Sequence, residues 1–384
     1  MRLLLRKRLG ERRMRGRSLP TKLLGRQDIE IGWFVGIFDP FFWVMPSRHG
    51  MLENKFNTKG ISMFALHSRI GRSLVLPFSL CWLLGLSSCR LLPTQETAQV
   101  AAAPANSDDV GDLFMKKTGN VTGGTWTRLE VGHKDLRAFV HTSPKQRQHV
   151  AVARISKMNL STLLPTSGKR SFPQEIAQKC PIAINGGYFF DDPAPYSISV
   201  MVTNSKIITP GIQNIPRSKG VCRPTRAAIG HDATGGWSFR WAKTFGSKVY
   251  SFENAPDPYS QYSESAGRPW DVDWAMGAGP MLVKNSKPVM TLAQECFEIS
   301  AGSQLPRTAM AIAGDLMYFF VADGDTDAYD GFTIAQVRDM LVALGATDVI
   351  SLDGGASSSF VVDGKRKNIP SISTRQIWSM LCLR

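Results

Sequence analysis

The sequence predicts an α+β fold, a single domain with a strand-rich mixed sheet and a few helices packed on it. Short apolar or alternating runs, punctuated by Gly, Pro and Asn, recur from Thr125 to the C-terminus and read as strands. Helical signals are few, so strands outnumber helices. No repeat of 20–50 residues interrupts residues 125–384, and one strand-rich domain of about 260 residues is within the usual range.

The elements follow in order. Residues 126–131 and 136–141 both alternate around a Gly-His-Lys-Asp turn and predict a hairpin. Residues 150–155 form a further apolar strand. Ser171 is placed as the N-cap of a short helix, with Pro173 in its first turn and Gln174 in the capping-box position. Ile182-Ala183-Ile184 reads as a buried strand ending at Asn185-Gly186-Gly187, and residues 198–283 alternate strands with turns. Thr333 caps a helix over 334–344, with Ile334, Val337, Leu341 and Leu344 on one face and Gly345 as its stop. The strand 348–352 then runs into Asp353-Gly354-Gly355.

The N-terminal third reads differently. Residues 1–62 are Arg-rich at their start, and their apolar stretch 31–45 is broken by Asp39-Pro40; they are read as a mis-start or disordered extension. From Met63 a basic region (His67, Arg69, Arg72) precedes the apolar residues 74–86 and then Leu86-Ser87-Ser88-Cys89. That is the layout of a secretory signal ending in a lipobox, so residues 63–89 predict export with Cys89 lipidated. An uncleaved signal anchor is the alternative. Residues 90–124, rich in Ala, Pro, Ser and Asp, read as a flexible tether. Cys180, Cys222, Cys296 and Cys382 remain for the domain, and their pairing stays open among three possibilities.

Charge argues against a nucleic-acid protein. The net charge is +15, but +8 falls on residues 1–62 and only +6 on residues 126–384. The remainder suits an anionic small substrate or an acidic surface.

Two Gly-rich turns end apolar strands: Asn185-Gly186-Gly187-Tyr188-Phe189 and Leu352-Asp353-Gly354-Gly355-Ala356-Ser357-Ser358. A polar residue before two glycines lets the backbone approach a ligand and aim N–H groups at it. Asn185 and Asp353 are expected to project at the lip of the sheet, with Ser357 and Ser358 as hydroxyl donors. Arg226 and Arg307 each lead into small and apolar residues, and a guanidinium there offers a fork of donors to phosphate or carboxylate.

Together with Arg226-Ala227-Ala228-Ile229-Gly230, Gly279-Pro280-Met281-Leu282-Val283, Pro306-Arg307-Thr308-Ala309, Asp323-Gly324 and Gly331-Phe332-Thr333-Ile334, these motifs resemble the phosphodiester glycosidase family in order and spacing. The resemblance spans residues 125–384. It implies hydrolysis of a sugar–phosphate bond; the family includes an enzyme removing N-acetylglucosamine from a phosphodiester on mannose, and bacterial members linked to exopolysaccharides. Many bacterial members carry Asn-Gly-Asp-Phe-Phe at the first motif, where Gly187 stands here.

The expected function is therefore a lipid-anchored hydrolase of the cell envelope, periplasmic or at the cell surface, cleaving a glycosyl phosphodiester. Arg226 and Arg307 are assigned to the phosphate and Asp353 to the carboxylate task, with nucleophile, base and turn-former all open. Asn185 acts in orientation with the Gly186 and Gly354 amides; Gly187, Gly355, Ser357 and Ser358 complete the substrate site. The alternatives are a non-catalytic glycan-binding or exopolysaccharide-assembly lipoprotein, and a phosphodiesterase cutting the other P–O bond. The expected partners are the glycan substrate and, through the lipid, a membrane, with no nucleic acid. The sequence requires no cofactor. A divalent cation stays open at Asp323-Gly324-Asp325-Thr326-Asp327, although this turn lacks the Gly and Glu of an EF-hand. Neither zinc-ligand spacing nor a Gly-x-Ser-x-Gly elbow is present.

Overall fold

The computed structural model describes residues 109–384 apart from 191–194, 233 and 262–263. The expected extension, the signal segment, Cys89 and most of the tether lie outside the described residues.

Three sheets carry the fold. An eight-stranded sheet runs in the order Thr125–Leu129, Leu136–Thr142, Arg147–Arg154, Leu316–Ala322, Arg307–Ala313, Asp348–Ser351, Met281–Lys284, Lys287–Pro288. A seven-stranded sheet has Arg226–Asp232 at its centre, between Trp237–Phe245 and Val272–Gly277. A five-stranded sheet places Ile182–Asn185 between Phe360–Val362 and Met380–Leu383.

Strand-rich was the right expectation; a mixed sheet was not. Every strand pairing among the described residues is antiparallel. The order strand, helix, strand near the C-terminus does make a crossover. However, Arg307–Ala313 lies between Leu316–Ala322 and Asp348–Ser351 and pairs antiparallel with both. The fold is mostly β, with three helices among the described residues.

Those helices are α1 (Val110–Thr118), α2 (Pro173–Ile176) and α3 (Ile334–Ala343). α1 falls inside the expected tether. Its first turn is capped by the Asp109 carboxylate, which accepts from the Gly111 N–H at 2.7 Å, and it buries Phe114 completely. α3 is the helix the sequence predicts: Thr333 and Gln336 form a reciprocal capping box, and Gly345 ends it at φ +84°. α2 starts one residue later than expected. Phe172 is its N-cap, and Glu175, not Gln174, reaches back to accept from the Phe172 N–H and the Ser171 hydroxyl.

Packing explains the layers. One face of the eight-stranded sheet is covered by α1 and α3 through Val110, Phe114, Ile334, Val337 and Leu341. Its other face joins both remaining sheets in one core containing Leu136, Ile184, Ile229, Phe239, Met310, Ile350, Phe360 and Leu381. Two disulfides, Cys180–Cys382 and Cys222–Cys296, settle the open pairing.

Candidate active site

Four chain segments from three sheets meet near one another. Ile182–Asn185 delivers Asn185 through Tyr188, Asp348–Ser351 delivers Asp353, and Arg307 and Arg226 begin their own strands. At the centre is Tyr188, half-buried, whose phenol lies within electrostatic reach of Asp353, Arg226, Arg307 and Glu295. Burial holds this phenol well above its usual range, with Asp353 and Glu295 adding to the rise and the two arginines opposing it. The hydroxyl therefore stays protonated at neutral pH and can donate a hydrogen bond.

Burial pushes the Asp353 carboxyl up to about 6. Hydrogen bonds from the Ser357 hydroxyl and the Gly354 N–H, and the charge of Arg375, oppose that rise. Arg375 also donates to Ser357 Oγ through Nε (3.3 Å) and Nη2 (3.2 Å), so Asp353, Ser357 and Arg375 form one network. Its guanidinium stands 5.3 Å from the centre of the Phe189 ring. A carboxylate titrating near neutrality suits proton transfer as well as attack.

Arg226 is buried, and among the described residues its Nε and Nη1 have no hydrogen-bond partner. Leaving such donors buried and unmade costs about 1–3 kcal/mol each, a cost an anion would remove. The guanidinium lies 4.2 Å over the Phe297 ring, which is itself 5.1 Å from the Tyr188 ring. Burial lowers Arg226 to about 10, opposed by nearby Glu295, and leaves it cationic at neutral pH. Glu295 is fully buried and accepts from the Ala227 and Met281 N–H groups, Trp241 Nε1 and Thr291 Oγ1. Arg307 is buried too, and donates to three carbonyls: Phe332 (3.0 Å), Ser300 (2.7 Å) and Ser303 (2.8 Å). Only part of its fork is left for a ligand.

Several expected ligand-facing groups serve the scaffold instead. The Asn185 side chain is buried and fully used. It donates to the carbonyls of Asp353 (2.7 Å) and Gly186 (3.2 Å), and accepts from Thr308 Oγ1 (2.7 Å) and the Ser359 N–H (3.0 Å). It is a brace between the two Gly-rich turns, not a group at the lip. The Gly186 N–H donates to the Ser379 carbonyl, and the Gly355 N–H to that of Pro306. A Cβ on Gly187 would lie 2.4 Å from the Gly277 carbonyl oxygen, so Gly187 exists for close strand approach. Ser358 is buried and turned toward Thr308, at 3.2 Å. Of the predicted set, Asp353, Arg226, Arg307, Ser357 and the Gly354 amide belong to the cluster around Tyr188.

Tyr188 stood in a quoted motif without a role, and Arg375, Glu295 and Phe297 had no sequence signal. For a cation, no group of three or more His, Cys, Asp or Glu side chains converges among the described residues. In the acidic turn, the buried Asp323 carboxylate accepts from the Ile369 N–H at 3.0 Å and lies 3.4 Å from His149 Nε2. It is turned inward, away from Asp325 and Asp327.

A carboxylate and two buried arginines at a meeting of sheets form a site suited to an anionic ligand. The phosphodiester glycosidase family model matches residues 178–384, more than half of the chain, and the chain belongs to that family. No curated protein matches it significantly. Among solved structures, it is similar to a hypothetical protein from Synechocystis, with 14% identity and a TM-score of 0.49, over 67% of this chain and 63% of that one. It is also similar to the zebrafish N-acetylglucosamine-1-phosphodiester alpha-N-acetylglucosaminidase catalytic domain auto-inhibited by its pro-peptide. That likeness has 17% identity and a TM-score of 0.48, over 68% of this chain and 88% of that one.

Proposed function

We propose that this chain is an exported hydrolase cleaving the sugar–phosphate bond of a glycosyl phosphodiester in an envelope or extracellular glycan. The observation that carries the reading is the gathering of Asp353, Arg226 and Arg307, from separate strands, around Tyr188. An anomeric carbon bearing phosphate already has a good leaving group. The tasks left are holding the phosphate, stabilising an oxocarbenium-like centre and delivering water or a carboxylate. Arg226, with its unpaired donors, and Arg307 hold the phosphate, and the Tyr188 hydroxyl donates to one of its oxygens. Asp353, ionised above pH 6, faces the developing positive charge or takes the proton of the attacking water. Two disulfides support an oxidising compartment, and lipidation at Cys89 belongs to the same proposal.

A synthetic sugar-1-phosphate diester tests it. The expected products are free sugar and a phosphomonoester, with Asp353→Asn lowering kcat by roughly 10²–10⁴-fold. Sugar-1-phosphate as the product would assign cleavage to the other P–O bond. Binding without turnover would make the chain a glycan-binding lipoprotein.

A further inference from the structure

We infer that a cavity remote from Asp353 is a binding site for a neutral sugar ring. Its volume is about 430 Å³, within the range of roughly 300–1,000 Å³ typical of ligand pockets. Two tryptophans, Trp237 and Trp274, line it with ring centroids 5.5 Å apart and planes inclined at 59°. Trp274 is held in place, since its Nε1 donates to Thr162 Oγ1 at 3.1 Å. Trp237 is half-buried and packs against the His231 ring at 4.8 Å.

Polar groups surround this aromatic surface. His231 Nδ1 and Asp273 Oδ1 are 2.9 Å apart, which fixes the imidazole. Its Nε2 then has no hydrogen-bond partner among the described residues. The exposed Asn159 also stands in the lining.

Location separates this cavity from the Tyr188 cluster. Arg226 and His231 stand at opposite ends of the strand Arg226–Asp232, roughly 16 Å apart at the rise of an extended strand. Composition separates the two ligands. The lining holds no Lys or Arg and one carboxylate, a poor match for phosphate. An aromatic face with a negative quadrupole suits the C–H face of a pyranose, while Asn159 and His231 suit its hydroxyls. A methylated ammonium would use the rings and Asp273 but leave those two groups unmatched. The site therefore takes a neutral residue of a glycan, whichever role Asp353 has.

Calorimetric titration of the full chain with cellohexaose, maltohexaose and chitohexaose tests the inference. At least one is expected to bind, equally well to Asp353→Asn. Trp237→Ala is expected to weaken that binding at least about tenfold, Trp237→Phe to keep most of it, and choline chloride not to compete. Turnover of the small synthetic diester is expected to be unchanged in Trp237→Ala. Should Trp237→Ala fail to fold, His231→Ala is read for the same loss. The inference falls if none of the three binds, if choline displaces them, or if the Trp237 and His231 variants bind like the wild type. It falls equally if binding is lost in Asp353→Asn and kept in Trp237→Ala, which would assign the sugar to the phosphodiester cluster.

Discussion

At Asp353, burial and chemistry pull in opposite directions. Its carboxyl is raised to about 6, so between the ordinary aspartate value and pH 6 the folded chain keeps a proton that the unfolded chain has released. Stability contributed by this group is present at low pH and lost as pH rises through that window. Asp353→Asn, which never ionises, is therefore expected to lose less stability than the wild type between pH 4 and pH 7 in parallel urea denaturations. If the ionised carboxylate does the work, wild-type turnover rises across an apparent pKa of about 6. A rate flat through that region would remove Asp353 from the rate-limiting step. Asn185 makes a different kind of prediction. Asn185→Asp keeps an acceptor for Thr308 and Ser359 but places a carboxylate against the carbonyls of Asp353 and Gly186. The loss of two buried bonds is expected to cost about 2–4 kcal/mol in denaturant unfolding. Sequence singled out both residues because each ends an apolar strand before two glycines. It could not tell them apart, because whether a strand-end side chain meets a ligand or a neighbouring turn depends on residues more than 100 positions away.

Among the elements, α3 was legible from its cap, its apolar face and its glycine stop, all local features. α1 was not. It is nine residues long, and the reason it forms is tertiary: Phe114 sits 4.7 Å from Phe139, 5.2 Å from Trp126 and 5.5 Å from Tyr318. Helices this short are marginal without such packing. Phe114→Ala is thus expected to destabilise the domain by about 3–5 kcal/mol, measured by chemical denaturation. A loss below about 1 kcal/mol would mean that the helix is not part of the cooperative unit. Strand direction was the other blind spot. Apolar periodicity marks a strand but carries no sign for its direction, so the intervening strand Arg307–Ala313, which turns a parallel arrangement into an antiparallel one, is invisible locally. Arg375 and the segment from Glu295 to Phe297 escaped for a related reason. They lie in irregular chain with no period, and only the folded geometry brings them to Ser357, Arg226 and Tyr188.

At the scale of the whole molecule, the two disulfides divide the labour between holding the fold and shaping the site. Cys180–Cys382 joins positions 202 residues apart, and Cys382 lies on a strand that already pairs directly with Ile182–Asn185. Cys222–Cys296 spans 74 residues and anchors the short segment whose neighbouring side chains, Glu295 and Phe297, flank Arg226. Chain entropy alone predicts similar costs for removing either, about 4–5 kcal/mol in the loop-closure model. Their effects on catalysis should nevertheless differ. Below its own melting transition, the double variant Cys180→Ser/Cys382→Ser is expected to keep kcat/KM on the synthetic diester within about threefold of the wild type, because its strand ladder survives. Cys222→Ser/Cys296→Ser, fully folded by circular dichroism at the same temperature, is expected to lose at least about tenfold, since a loosened Phe297 no longer fixes the guanidinium. A loss of about tenfold corresponds to 1.4 kcal/mol of transition-state binding, less than the whole value of one buried charge contact and so within what misplacing Arg226 can cause. Equal kinetic losses in the two variants would mean that the Cys222–Cys296 link acts on the fold alone and that Arg226 is held by Glu295 without it.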